Sequence, residues 1–148
     1  LHAGELGMNC LYCHSGAERS RHAGIPAASV CMNCHKSVTA PLLDVRAEDE
    51  RAAKEGRKPL RIVSPELRKL LDAVDRSEPI RWMGVHHLPD FTFFDHRSHV
   101  TAGVTCQRCH GPVETMERMR QESDLTMGWC VNCHRTEGAT LDCSACQK

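Results

Sequence analysis

Short α-helices joined by coil, packed around embedded prosthetic groups, are the fold class this sequence predicts. Three observations predict it. All ten cysteines of the 148 residues fall into five Cys-x-x-Cys pairs, a pattern no ordinary core requires. Only six residues are aromatic, so a side-chain core would be thin for this length and needs staples: disulfides, metals or an embedded cofactor. No alternation of apolar and polar residues persists as a strand pattern, whereas several stretches carry helix start and stop signals.

The remaining bulk properties bound the answer. At 148 residues the chain forms one domain or two small ones. Basic and acidic residues balance at 19 each, so net charge lends no support to nucleic-acid binding. No apolar run approaches a membrane span, and no signal-peptide pattern opens the chain. It begins inside a motif-like stretch, LHAGELG, and residues ahead of Leu1 are expected.

The cysteine pairs, in chain order, are CLYCH (Cys10, Cys13, His14), CMNCH (Cys31, Cys34, His35), CQRCH (Cys106, Cys109, His110), CVNCH (Cys130, Cys133, His134) and CSACQ (Cys143, Cys146). The first four have the attachment signature of c-type haem. The spacing lets two thioether bonds reach two vinyl groups on one porphyrin edge. The adjacent histidine then swings under the iron as proximal ligand. Zinc ribbons need two pairs per metal and no trailing histidine. Iron–sulfur clusters need four thiolates in closer sets, and thioredoxin-like pairs come singly beside a strand–helix pattern. The fold class is therefore a multihaem c-type cytochrome, mostly coil with short α-helices, in which haems form the core. Four haems c are expected at the first four motifs and a fifth at Cys143 and Cys146. Gln147 cannot act as proximal ligand, so the fifth needs a ligand from outside its motif, from His87, a methionine or Lys148. The plain alternative for that pair is a disulfide or two free thiols.

Low-spin electron-transfer haems need a sixth ligand, commonly His or Met. HAGELGMNCLYCH, HAGIPAASVCMNCH and HVTAGVTCQRCH each place a histidine ahead of a motif with six to eight residues between, as duplicated haem-binding units would. The distal candidates are His2, His22, His86, His96 and His99, with His87 weaker. In FFDHRSHV, His96 and His99 stand three apart and share a face if helical, so they can reach two adjacent irons. The ordinary role of a spare histidine is a solvated or hydrogen-bonded side chain, but several irons in need of ligands reverse that prior. Met116, Met119 and Met127 are competing ligands. PVETMERMRQ reads as a helix with Pro112 in its first turn and Val113, Met116 and Met119 on one face, a stripe more usual for packing than ligation.

The chain divides into an N-terminal haem lobe at 1–38, a haem-free helical insert at 39–85 and a C-terminal haem lobe at 86–148. In the insert, SPELRKLLDAV offers Ser64 as N-cap, Pro65 at the first helical position and Leu67, Leu70, Leu71 and Val74 on one face. DVRAEDERAAKEG reads as a polar helix with Asp44 near its start, Gly56 at its end and a Glu50–Lys54 pair. Its charge run reads as a solvated face, with partner docking as the alternative. GRKPLRIVSP reads as a loop. Haem propionates would add on the order of eight to ten negative charges to this neutral chain, and arginines suit them as partners.

The stretches LHAGELGMNCLYCHSGAERSRHAGIPAASVCMNCH, VHHLPDFTFFDHRSHVTAGVTCQRCHGPVETM and LTMGWCVNCHR resemble the pentahaem cytochrome c subunit of alternative complex III, a bacterial quinol:electron-acceptor oxidoreductase related to class III multihaem cytochromes. The match spans nearly the whole chain apart from the insert. It implies ligand positions at His22, His86, His96 and His99, but not at His87. It implies an electron-transfer subunit without substrate chemistry of its own, on the periplasmic side of the bacterial inner membrane, in a respiratory or photosynthetic complex. Iron–sulfur and membrane subunits that oxidise quinol would be its partners, with a downstream cytochrome or oxidase as acceptor. Membrane association would come through those partners or an N-terminal segment outside this chain. In that family another histidine precedes the LHAG position and the last motif ends in His, where Gln147 stands here. A soluble periplasmic multihaem shuttle is the alternative reading. A multihaem reductase is a third, which would want a lysine directly after a Cys-x-x-Cys pair; Lys148 stands one residue later.

Overall fold

The computed structural model describes residues 1–147; Lys148, one of the ligands considered for a fifth haem, lies outside them. Among the described residues the regular structure is helical: α1 (Cys10–Cys13), α2 (Ala28–His35), α3 (Leu42–Glu55), α4 (Pro65–Asp75), α5 (His96–Thr101), α6 (Cys106–His110), a 3₁₀ turn (Val113–Thr115), α7 (Met127–Glu137) and α8 (Cys143–Cys146). The only extended pairing among them is one antiparallel bridge between Thr92 and Gln147. No described helix is long and apolar enough to cross a membrane.

Contacts divide the chain into two compact units. One joins Leu1–Ile25 to the segment from Met83 onward; the other is Pro26–Trp82. The haem-free segment read at 39–85 thus shares its unit with the second attachment motif, while the first motif groups with the third, fourth and fifth.

The Pro26–Trp82 unit explains itself from its helices. In α4, Ser64 adopts the extended N-cap conformation and Pro65 opens the helix, where its missing N–H costs nothing. Leu71 on its apolar face is buried, and α4 packs against α2. The polar helix forms as α3, beginning two residues ahead of Asp44, and Gly56 closes it in the left-handed region at φ 65°, which an L side chain would strain. Two expectations for α3 change. Its ion pairs join Glu48 to Arg57 at 2.6 Å and to Arg51 at 3.2 Å, and Glu55 to Arg57 at 2.5 Å, rather than Glu50 to Lys54. The charge run is not wholly solvated either, because Glu48 is only 3% exposed. Its carboxylate also accepts the Leu60 N–H at 2.9 Å, fastening the loop after the helix. The Arg57 hydrogen bond, then that of Leu60, holds the Glu48 pKa down to about 2.

The other unit is built from short motif helices and loops. PVETMERMRQ does not form the expected helix: it makes one 3₁₀ turn, after which Met116 is extended at φ −79°, ψ 120°. Loop contacts outcompete helix propensity there. Gln121 caps the carbonyls of Ser123 and Asp124 at 3.1 and 3.3 Å and accepts the His87 N–H at 3.1 Å, and Ser123 Oγ donates to the Arg108 carbonyl at 3.4 Å.

Very little of this chain is covered by itself. Among the described residues only Ala17, Ala52 and Leu71 are buried apolar side chains. Two folded units of these sizes would expose roughly 9,000 Å² between them, whereas the chain exposes 11294 Å². A chain of short helices with so much uncovered surface and so small a core is shaped to pack around something larger than its own side chains.

Candidate haem-binding site

The attachment motifs begin as helical turns. Asn9 caps α1 by accepting the Leu11 N–H at 2.8 Å, and Asp142 caps α8 by accepting the Ser144 N–H at 2.9 Å. Thr126 caps α7, which carries Cys130, Cys133 and His134 on consecutive turns. Each pair is thus held at helical spacing, which keeps its two thiols near one edge of any group they share. None of the ten cysteines is in a disulfide. Among the described residues no three His, Cys, Asp or Glu side chains converge as a metal ion bound by thiolates requires.

Neighbouring motifs meet in space. Cys10 and Cys106 line one cleft with Met8, Asn9, Gln107 and Glu114, and burial, then Cys10, pushes the Cys106 thiol pKa up. Burial raises Cys109 as well, with Cys133 and Cys130 its next causes, and Arg108 approaches Cys133 Sγ at 4.0 Å. Burial, then Cys146, raises Cys130. The first, third, fourth and fifth pairs are therefore consecutive neighbours.

The histidines show a common orientation. His14 Nδ1 bonds the Gly24 carbonyl at 2.8 Å, His35 Nδ1 that of Val38 at 2.8 Å and His134 Nδ1 that of Thr140 at 2.6 Å. Two distal candidates do the same: His96 Nδ1 to the Arg21 carbonyl at 2.9 Å and His99 Nδ1 to the Asp95 carbonyl at 2.8 Å. A carbonyl can only accept, so Nδ1 carries the proton and Nε2 keeps its lone pair. That is the tautomer a metal-bound histidine needs, oriented by the hydrogen bond such ligands make.

Sequence-distant segments produce this arrangement. The Arg21 guanidinium lies 4.1 Å over the Phe93 ring, its Nε donates to the Phe94 carbonyl at 3.2 Å, and the His96 N–H returns to the Arg21 carbonyl at 3.2 Å. Gly16 permits the same loop to close, since a Cβ there would stand 2.5 Å from the His22 carbonyl oxygen. Phe94 packs edge-on to His96 at 4.8 Å and stacks on His99 at 4.5 Å. Asp95, directly ahead of α5, caps it through the Arg97 N–H at 3.0 Å. Phe94 and Arg21 carried no ligand signal, although an Asp before the His-x-x-His pair is a readable cap.

The helix turn carrying His96 and His99 faces two attachment motifs. His96 and His110 are parallel, with ring centroids 6.4 Å apart and planes at 8°; His99 and His134 stand 6.0 Å apart at 42°. Two imidazoles on opposite sides of one metal atom have centroids roughly 6.3 Å apart, given metal–nitrogen bonds of about 2.0–2.1 Å. The centroid separations at both places match that of a bis-histidine iron. His110 is the most perturbed of the group: burial, then His86, His96 and His14, pulls its pKa down to about 4, which favours the neutral, ligating form.

Other candidates are placed differently. His86 Nε2 lies 3.1 Å from His110 Nδ1, with the rings edge to face at 4.3 Å, so it touches the side of His110 away from Nε2. His87 is exposed. His22 is exposed and its carbonyl accepts the Ser20 hydroxyl at 2.6 Å; exposed His2 receives the Met8 N–H on its carbonyl at 2.9 Å. At the fifth pair, the Phe93 N–H donates to the Cys146 carbonyl at 2.7 Å, and Gln147 Nε2 lies 3.1 Å from Met127 Sδ.

Short helices, motif turns that hold the cysteine pairs, and histidines oriented through Nδ1 give this chain the architecture of a multihaem c-type cytochrome, a protein of multihaem electron transfer. It is similar to the multihaem cytochrome c subunit of menaquinone reductase from Nitratidesulfovibrio vulgaris strain Hildenborough, at 26% identity over 169 aligned positions that cover 99% of this chain and 70% of that protein. No family model matches the chain.

Proposed function

We propose that this chain is the electron-relay subunit of a periplasm-facing, membrane-bound quinol-oxidising complex of the alternative complex III kind, with no substrate chemistry of its own. The observation that carries the reading is the placement of His96 opposite His110 and His99 opposite His134 at single-iron spacing. Haem c, when bound, supplies a one-electron iron couple whose potential follows axial ligation, hydrogen bonding and burial. The chain's part is to tether, orient and space. Cys10, Cys13, Cys31, Cys34, Cys106, Cys109, Cys130 and Cys133 tether, with Cys143 and Cys146 as a fifth pair. His14, His35, His110 and His134 are proximal ligands, and His2, His22, His86, His96 and His99 the distal set. The carbonyls on Nδ1 fix ring orientation and raise ligand basicity. The meeting of neighbouring cysteine pairs supports short separations between successive groups, which a relay requires.

The relative's name favours a second direction of flow, in which the partner subunits reduce menaquinone with electrons passed through this chain. In either case iron–sulfur and membrane subunits are the partners. Intact mass of the matured protein counts covalent haems directly, and four or five are expected. The protein should leave solubilised membranes with partner subunits. Elution as a lone species of about this chain's 16.5 kDa would favour a soluble shuttle instead. Added quinol should reduce the haems of the isolated complex. Haem oxidation by added menaquinone, without reduction by quinol, would assign the opposite direction.

A further inference from the structure

The Cys143–Cys146 turn lacks a histidine, yet its backbone is that of an attachment motif. Both α1 and α8 are four-residue turns spanning two cysteines, each capped by the side chain just ahead. In both, the following residue's N–H returns to the first cysteine's carbonyl, His14 to Cys10 and Gln147 to Cys143, at 2.9 Å each. The two diverge only after that. His14 is at φ −106°, ψ 52°, whereas Gln147 is extended at φ −119°, ψ 137° and bridges to Thr92.

That extension carries the Gln147 side chain against Met127, the first residue of α7. Core packing does not account for Met127, which is 62% exposed. The next pair along α7 begins at Cys130, the neighbour of Cys146. What this site lacks is an iron ligand from outside its own motif, and a methionine sulfur is what the fold brings to it. Thioether sulfur is a known axial ligand of c-type haem and raises its potential relative to bis-histidine ligation.

We propose that Met127 Sδ is an axial ligand to the iron of a haem c tethered by Cys143 and Cys146. The proposal rests on the multihaem reading above and deepens it. Tethering balances without an oxidant: each thiol adds across one vinyl group, a sulfur–carbon bond forms, and the thiol hydrogen ends on the neighbouring carbon. The ligand then makes this haem the one of highest potential in the chain.

The test uses the matured holoprotein and two variants, Met127→Leu and Met127→His, read by intact mass, optical spectra and redox titration. In the unaltered protein we expect five haems, the weak long-wavelength absorption of sulfur bound to ferric haem, and one haem titrating above the rest. Met127→Leu should keep five haems, lose that absorption and bring the outlying potential down. Met127→His should keep five haems and lose the absorption too. An absorption that survives in Met127→Leu would overturn the proposal and point to Met116 or Met119. Four haems in the unaltered protein would overturn it while leaving the multihaem reading intact. A protein without covalent haem would remove both.

Discussion

Replacing His96 by alanine tests the pairing that carries the functional reading. The His96 and His110 ring centroids stand 6.4 Å apart, the separation expected of two imidazoles sharing one iron with bonds of about 2.0–2.1 Å on each side. Removing one imidazole opens one coordination position and no other. The loss expected is therefore one haem's share of the low-spin signal, about a quarter to a fifth of the total for four or five haems. The ferrous variant should bind one carbon monoxide per chain, against none for the parent at that position. Because His96 Nδ1 also holds the Arg21 carbonyl at 2.9 Å, a spectral change alone could reflect loop rearrangement. Added free imidazole separates the two: it should restore the low-spin signal and displace the carbon monoxide. A His96→Ala protein that stays fully low-spin and takes up no carbon monoxide would refute the pairing. So would a variant whose new high-spin signal ignores imidazole.

The remaining predictions follow from other contacts. His99→Ala should open a second position opposite His134, so that the double variant binds two carbon monoxide molecules per chain; a double variant binding one would mean the two histidines serve one iron. Glu48 has a folded-state pKa depressed to about 2, so its contribution is complete above the ordinary carboxylate range and is lost as the pH falls through that value. Thermal melts should show the Pro26–Trp82 unit weakening from about pH 5 downward, and Glu48→Gln should flatten that slope while lowering stability at neutral pH. Leu71→Ala removes one of the few buried apolar side chains and should cost about 2–4 kcal/mol, read as a lower urea midpoint with an unchanged slope. In Gly16→Ala the new methyl would press on the His22 carbonyl oxygen, so the loop holding the Gly24 carbonyl on His14 should be displaced, with a changed potential for one haem and no change in haem count.

The parts legible in the sequence are those decided within a few residues. α4 follows from Ser64, Pro65 and the leucine face, and the end of α3 from Gly56, because caps and helix periodicity act inside one or two turns. The motif turns are local too, with Asn9, Thr126 and Asp142 as caps. Local signals misled where contacts with other segments intervened. Gln121 ties down the loop after the Val113–Thr115 turn, and the helix read over PVETMERMRQ gives way. The polar character of α3 concealed that Arg57 and the Leu60 N–H bury Glu48. Neither loss could be read from spacing, because the deciding contacts, Gln121 with His87 and Glu48 with Arg57 and Leu60, reach outside the stretch read as a helix.

Ligand choice sits at the far end of that scale. The His-x-x-His spacing says that His96 and His99 can serve two irons, but which two depends on the Arg21 loop, about 75 residues away in sequence, and on Phe94 between the rings. The same reasoning separates the two odd features of the chain. His86 falls on a ligand position of the family the sequence resembles, yet three-dimensional contact puts it on the Nδ1 side of His110. Gln147 breaks its motif, yet contact puts a methionine sulfur beside it. Where the described residues bury only three small or medium apolar side chains, the fold's specificity has to reside in such polar contacts around the groups it holds. Substituting a carbonyl-bonded histidine should therefore perturb spectra and potentials well before it perturbs the fold.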